Sequence, residues 1–367
     1  MALSTSTPEL KKQSWERNFL KEYVRESGFK SFMGTSPTSV IQVKNEEKVG
    51  GESITLGLVS RLKGNGVSGN GTLVNNEESL GEYSHKITVD YRRNAVALTR
   101  REQRFTAPDQ LEVVKPLLKE WCMNETRNDI CDALLMAANQ KTLVDPYNTN
   151  YSTVATTGEA NSWLTDNADR ALFGNSKSNT VSGDFAASLA TVDATNDKLT
   201  AARVSLMKRM AKTADPHIRP IRVKDKGREY YVLFTDTRAF RDLKEDMKTT
   251  NLDGRDRNVA TNPVFQDGEL IYDGVIVCEI PELKVFASAG AAGIDVSSAI
   301  LCGAQAIGAA WGQMPRSTKR QEDDYDFIKG RGIEECIGIS KVQRYKSGDP
   351  LKDHGTVTGF FAGVEDA

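Results

Sequence analysis

Gly64-Asn65-Gly66-Val67-Ser68-Gly69-Asn70-Gly71-Thr72-Leu73-Val74-Asn75-Asn76-Glu77-Glu78 is the stretch on which the reading of the fold turns. Upstream, Ile54, Leu56 and Leu58 alternate with Ser53, Thr55 and Gly57, the period of a half-buried strand. Downstream, 85–98 carries Ile87, Val89 and Tyr91 on one face. Val96 and Leu98 fall on the opposite parity, which predicts a bulge near Arg92 to Ala95. Together these make one long hairpin over 51–107. Its tip, 63–82, is rich in glycine and asparagine and is read as having no apolar content of its own to fold around.

The same letters fit the G-x-G-x-x-G string of dinucleotide-binding folds at Gly64, Gly66 and Gly69. That fingerprint needs a strand before it, a helix after it and an acid about 20 residues on. The strand is there, and Asp90 is at a tolerable distance. The helix is not, because the chain re-enters a period-two pattern. A kinase glycine loop would need V-A-I-K, H-R-D and D-F-G strings downstream, and the chain has none. A flexible hairpin tip is the stronger reading; a nucleotide-dependent enzyme using Gly64–Gly69 is the alternative from a different class.

Composition narrows the field further. The 367 residues, 39% apolar, 7% aromatic and 27% charged, describe a globular chain of two domains or one large one. Lys and Arg number 48 against 50 acids, a net charge of −2. That balance speaks against a protein whose main task is to coat phosphate backbones. Cys122, Cys131, Cys278, Cys302 and Cys336 lie far apart in apolar contexts with no C-x-x-C pair, as expected of reduced, buried thiols. His85, His217 and His354 are isolated, and no G-x-S-x-G, H-E-x-x-H or Walker A string occurs. No catalytic, cofactor-binding or metal-binding residue is assigned, and no cofactor is expected. Residues 1–14 lack the apolar stretch of a secretory signal, and 296–312 is too short and polar to span a bilayer. A soluble, architectural protein with no membrane partner is the expectation.

Residues 1–50 read as an arm, with Trp15, Phe19 and Leu20 as large anchors on an amphipathic segment and a short strand at 40–43. After the hairpin, Pro108 and Asp109 open a helical region, and Pro116 is read as the first turn of its main segment over 115–140, carrying Leu118, Trp121, Cys122, Ile130, Leu134 and Ala137 at helical spacing. The stretch 141–197 is poor in large apolar groups and reads as an excursion over a surface. A basic amphipathic helix over 199–212 precedes Tyr230-Tyr231-Val232-Leu233-Phe234, a strand buried on both faces. Thr235 or Asp236 caps a helix over 238–247. Strands at 275–280 and 284–287, a small-residue segment at 299–311 and a last strand at 333–345 complete the chain.

Three blocks carry a resemblance. The first joins the glycine stretch, from Ser60-Arg61-Leu62-Lys63 to Glu77-Glu78, with Lys86-Ile-Thr-Val-Asp-Tyr-Arg-Arg-Asn-Ala-Val96. The second is Tyr231-Val-Leu-Phe-Thr-Asp-Thr-Arg-Ala-Phe-Arg-Asp-Leu243. The third is Asn262-Pro-Val-Phe265 with Tyr272-Asp-Gly-Val-Ile-Val277. In this order, over about 50–280, they resemble the major capsid proteins of tailed bacteriophages. The resemblance implies an α+β chain with the Hong Kong-type phage capsid fold: an N-terminal arm, an extended β-hairpin loop, a peripheral domain with a long spine helix, and an axial α/β domain. Mapped onto this chain, the arm is 1–50 and the hairpin 51–107. Residues 108–198 are the peripheral domain with the surface excursion, 199–325 are mainly axial, and 326–367 return to the peripheral domain.

What the family implies is assembly. Pentamers and hexamers of this chain would close an icosahedral shell around packaged double-stranded DNA, held without sequence preference. Neighbouring capsomers, scaffold, portal and decoration proteins are the further partners, with assembly in the host cytoplasm and residence in the virion. A cargo-enclosing nanocompartment of the same fold is the alternative within the class. Trp15, Phe19, Leu20, Arg61, Lys63, Gly64, Gly66, Gly69, Gly71, Glu77 and Glu78 are the intersubunit contact candidates.

Overall fold

The computed structural model describes residues 29–45, 52–60, 62, 64–78, 80–101, 110–138, 141–143, 155–222, 229–253, 269–321, 325 and 327–365. Two short strands, β1 (Met33–Gly34) and β2 (Ile41–Asn45), precede the hairpin strands β3 (Ser53–Val59) and β4 (Glu82–Thr88) and then β5 (Asp90–Thr99). Helix α1 (Gln110–Leu134) comes next, about 37 Å long at its 1.5 Å rise per residue. A small ribbon, β6 (Met136–Ala138) with β7 (Lys141–Thr142), leads to α2 (Thr157–Asp166), β8 (Ala171–Phe173), α3 (Phe185–Leu189) and α4 (Ala201–Thr213). Then follow β9 (Ile221–Arg222), β10 (Glu229–Thr235), α5 (Thr237–Asp253), β11 (Glu269–Tyr272), β12 (Val275–Glu279), β13 (Val285–Phe286) and β14 (Val296–Cys302). The long strands β15 (Ile307–Lys319) and β16 (Ile328–Lys341) precede β17 (Gln343–Arg344), β18 (Lys352–Asp353) and β19 (Thr356–Ala362).

The apolar run at 230–234 becomes β10, which lies inside a sheet ordered β11-β12-β10-β14-β19-β8, parallel to β12 and antiparallel to β14. Because alternate residues face opposite sides of a sheet, the run divides between two cores. Tyr231 and Leu233, with Leu301 and Phe361, pack under α4 and α5 against Val204, Met207, Phe240 and Leu243. Val232 and Phe234, with Ile300 and Phe360, face the larger core that contains Phe29 and α1. Asp236 starts α5 by accepting from the Arg238 N–H at 3.2 Å, and it also accepts from the Ser297 hydroxyl at 2.9 Å.

A second sheet runs β1-β2-β15-β16-β5, with β2 parallel to β15 and β16 antiparallel to both its neighbours. Four sequence expectations are corrected here. The helical region expected to open at 108–109 is helical from Gln110, but Pro116 lies inside it rather than in a first turn, and it stops at Leu134; the loss of one N–H inside it does not break it. Ala137 therefore belongs to a strand. The irregularity expected at 92–95 lies instead at Val89, where the chain changes partners. The Val89 N–H goes to the Glu52 carbonyl, β5 pairs with β16 from Asp90 to Thr99, and Tyr91 is turned out to solvent.

Over its described residues from 155, the expected surface excursion is part of the interior. Trp163, Leu164, Phe173, Phe185 and Leu189 are buried, and β8 pairs in parallel with β19. Phe173 stacks on Phe360 at 4.9 Å, and Phe185 meets Phe360 edge-on at 5.4 Å. The proposed division at 198 and 326 thus cuts across the eight-stranded sheet, which takes strands from both outer segments. The acids at 322–324 and 326, residues 254–268, and Trp15, Phe19 and Leu20 lie outside the described residues.

Two histidines sit where the sheets meet. Burial holds His85 down at about 4, and burial with the neighbouring Arg344 charge holds His354 at about 3. As pH falls below about 6.5, the unfolded chain binds protons that these two rings refuse, so stability is lost progressively as pH falls toward 4. Denaturation midpoints of the dissociated subunit are expected to fall over that window, and His85→Gln is expected to flatten part of the slope. An unchanged slope in the variant would show that His85 titrates normally.

Candidate assembly interface

The hairpin is held at its foot and free at its far end. On its inner face Ile54 pairs across from Ile87 and Leu56 from His85, and with Leu58 and Val89 they cover Ala310, Cys336 and Val342. Two bare positions let it seat so low. A Cβ on Gly338 would run into the carbonyl oxygen of Thr88, and one on Gly308 would stand 2.5 Å from the Ile87 side chain. Reciprocal backbone bonds between Ser84 and Tyr345, at 3.1 and 3.2 Å, fasten β4 to the strand beyond β16.

A polar node ties β5 to the helix. Arg92 donates to the buried Glu335 carboxylate from Nε at 2.9 Å and from one terminal nitrogen at 2.6 Å, while it also reaches Asp129 at 2.5 Å and Thr126 at 2.9 Å on α1. The Cys122 thiol donates to the same Glu335 oxygen at 3.1 Å. Burial, then the Glu335 charge, pushes that thiol far above its ordinary range, so it stays protonated. Burial likewise raises Asp129 against the opposing pull of Arg92. Asp132, one turn on, is raised to about 6 by burial and by Asp129.

Past Val59 the hairpin leaves the body. Leu62 and Leu73 are each 62% exposed and Val74 64%; Val59 and Leu80 are also exposed. The tip therefore does carry apolar groups, contrary to the expectation, but they follow no period and nothing among the described residues covers them. Backbone shape comes from glycine: Gly66 and Gly69 take φ of 65° and 66°, the left-handed region. Glu78 Oε2 accepts from the Gly64 N–H at 2.6 Å, closing the neck of the loop, and Glu77 Oε2 accepts from the Asn75 N–H at 2.9 Å. Both carboxylates first shape their own loop. Gly71 is exposed within it, while Arg61 and Lys63 lie outside the described residues. Between the hairpin and the body is a cleft of about 550 Å³ lined by Val59, Tyr83, Pro216, Arg219, Arg344 and Pro350.

The described residues assemble no catalytic constellation here. His85 comes within 2.7 Å of Ser340 Oγ, but the Gln343 N–H points at its Nδ1, so Nε2 carries the proton and donates. Such a ring cannot take the serine's proton. Nor is Gly64–Gly69 followed by a helix; the next element is β4.

A body of two sheets and a long helix carries a projecting hairpin whose apolar side chains stay exposed among the described residues. This is the Hong Kong-type capsid fold. The chain matches the phage capsid protein family over residues 4–359 and belongs to it. It is 28% identical over 382 positions to the major capsid protein of Pseudomonas phage KPP25, covering 96% of this chain and 95% of that one. Its structure is similar to the capsid asymmetric unit of cyanophage Pam1, with a TM-score of 0.80, 33% identity and 94% of each chain covered. The capsid of Ralstonia phage GP4 shares the fold at a TM-score of 0.69 and 19% identity, over 93% of this chain and 92% of that one. The protein is a structural component of a phage shell, assembled from copies of itself.

Gly338→Ala tests the seat of the hairpin. The obstructing atom is backbone and cannot rotate away, so overpacking is expected to cost ~1–3 kcal/mol. Hydrogen exchange should speed up in β3 and β4 more than in β10. Equal acceleration in both would mean that the foot does not depend on this contact.

Proposed function

We propose that this chain is the major capsid protein of a tailed phage, forming the hexamers and pentamers of an icosahedral shell around double-stranded DNA. The observation that carries the proposal is the hairpin, rigidly seated at its foot and unsatisfied at its apolar end, in a chain of the phage capsid family. Leu62, Leu73, Val74 and Leu80 would be covered by a neighbouring subunit, with Arg61, Lys63, Glu77 and Glu78 setting register by charge. Trp15, Phe19 and Leu20 of the arm are proposed as a second set of intersubunit anchors. In this reading the five-stranded sheet, hairpin and α1 form the peripheral part. The eight-stranded sheet with α4 and α5 forms the axial part, which moves both 171–173 and 356–362 into the latter. Assembly in the host cytoplasm, with scaffold, portal and decoration proteins, belongs to the same proposal. The family match favours this reading over a nanocompartment.

Deleting 64–71 removes the tip and leaves the foot. The subunit is expected to keep its melting temperature within a few degrees while losing the ability to close shells, as read by electron microscopy and sedimentation. Normal particles from the deletion would show that the tip is dispensable.

DNA is contained rather than gripped. With a net charge of −2 the chain can neutralise few phosphates, and log affinity scales with that number. Free capsomers are expected to bind duplex DNA weakly, without sequence preference, and to release it on modest salt addition. A tight complex persisting in high salt in a filter-binding titration would contradict this.

A further inference from the structure

Away from the hairpin tip, the interior holds an amine and a carboxylate side by side. Lys341 ends β16 and Asp353 ends β18; their side chains are 0% and 1% exposed, and Lys341 Nζ stands 2.7 Å from Asp353 Oδ2. Nζ makes no hydrogen bond within the described structure, so this contact has ion-pair distance without hydrogen-bond direction. It lies 5.2 Å from the centroid of the buried Trp163 ring, which walls the pair off from water.

The carboxylate is held in one orientation from three sides. Gln343 Nε2 donates to Oδ1 at 3.0 Å and is itself fixed by a second bond to the Ala137 carbonyl at 2.8 Å. On Oδ2 the Trp163 indole N–H donates at 3.1 Å and the Thr356 hydroxyl at 3.4 Å. The two oxygens are thus distinguished. Oδ1 faces an amide donor locked in place, as an oxyanion would require, while Oδ2 faces the amine and two further donors.

We propose that Lys341 and Asp353 condense spontaneously into an isopeptide bond within each folded subunit. A proton passes from Nζ to Oδ2, leaving a neutral amine beside a carboxylic acid. The Nζ lone pair attacks Cγ, and Gln343 Nε2 stabilises the negative charge that develops on Oδ1. The Cγ–Oδ2 bond breaks as Oδ2 takes a second proton from Nζ and leaves as water. One ammonium and one carboxylate give one amide and one water, so atoms and charge balance with no other reagent. Burial keeps the amine and the carboxylate side by side, as two free side chains in water would not be, and the exclusion of water disfavours the reverse hydrolysis.

The bond would staple the end of the five-stranded sheet to the strand that leads, three residues later, into β19 of the eight-stranded sheet. Because it lies within one chain, subunits would still run as monomers in denaturing electrophoresis. Its functional consequence would be resistance of each subunit to being pulled apart between its two sheets.

Intact-mass measurement on the full chain, taken from assembled particles and denatured, decides the matter. The chain is expected to be one water lighter than its sequence. Trypsin should fail to cut after Lys341, and fragmentation should show one branched peptide joining Lys341 to Asp353. Lys341→Met is expected to restore the full sequence mass. Asp353→Asn should still reach the crosslinked product, losing ammonia instead of water. A wild-type chain at full mass, with Lys341 and Asp353 on separate peptides, overturns the proposal whatever the variants do. So does a water loss that maps elsewhere, for instance to an imide at Asp273–Gly274.

Discussion

Strand β16 reaches three different parts of the molecule through side chains on one strand. Glu335 accepts from Arg92 and Cys122, joining the foot of β5 to the long helix. Five residues on, Ser340 meets His85 of the hairpin, and Lys341 pairs with Asp353 at the approach to the other sheet. Each of these is a buried polar contact, where the loss of one partner is worth far more than the contact's net gain. These directional contacts add to the interdigitated apolar packing in fixing the relative register of hairpin, helix and opposite sheet.

The free end of the hairpin follows the opposite logic. Leu62, Leu73, Val74 and Leu80 are spread over an open loop, so no single contact made by them is strong. Each side chain fully covered by a neighbour contributes about 1.5–3 kcal/mol, before the entropy of ordering the loop is subtracted. Weak, repeated contacts suit a closed shell, because misplaced subunits can leave while the same modest gain recurs at every equivalent position. The near-neutral charge belongs to the same picture, since like-charged subunits packed side by side would repel one another.

How far the fold could be read from the chain depended on whether burial was local in sequence. The β10 run and the alternation in β3 were legible because each records its own burial in a few adjacent residues. The interior character of 155–197 was not, because Trp163, Phe173 and Phe185 are isolated in sequence and become a core only when Phe286 and Phe360 arrive from the far end. Strand β19 went unread for the related reason that Thr356-Val-Thr-Gly-Phe-Phe-Ala362 is buried on both faces and shows no alternation. At the candidate site the glycines were legible as a loop. The bonding of Glu77 and Glu78 to that loop's own backbone was not, since a carboxylate's partner leaves no mark on spacing.

The glycine string shows why a motif needs its context. In a nucleotide fold the glycines bring backbone N–H groups close to a phosphate at the start of a helix. Here the Gly64 N–H is already taken by the Glu78 carboxylate, an anion supplied by the chain itself. An incoming phosphate would have to displace a tethered carboxylate and would find no helix dipole in return. The same bond closes the neck of the loop, so the residues beyond it project as one unit with Leu73 and Val74 outward. Occupying its own donor thus makes this loop a poor ligand cradle and leaves Leu73 and Val74 turned to solvent.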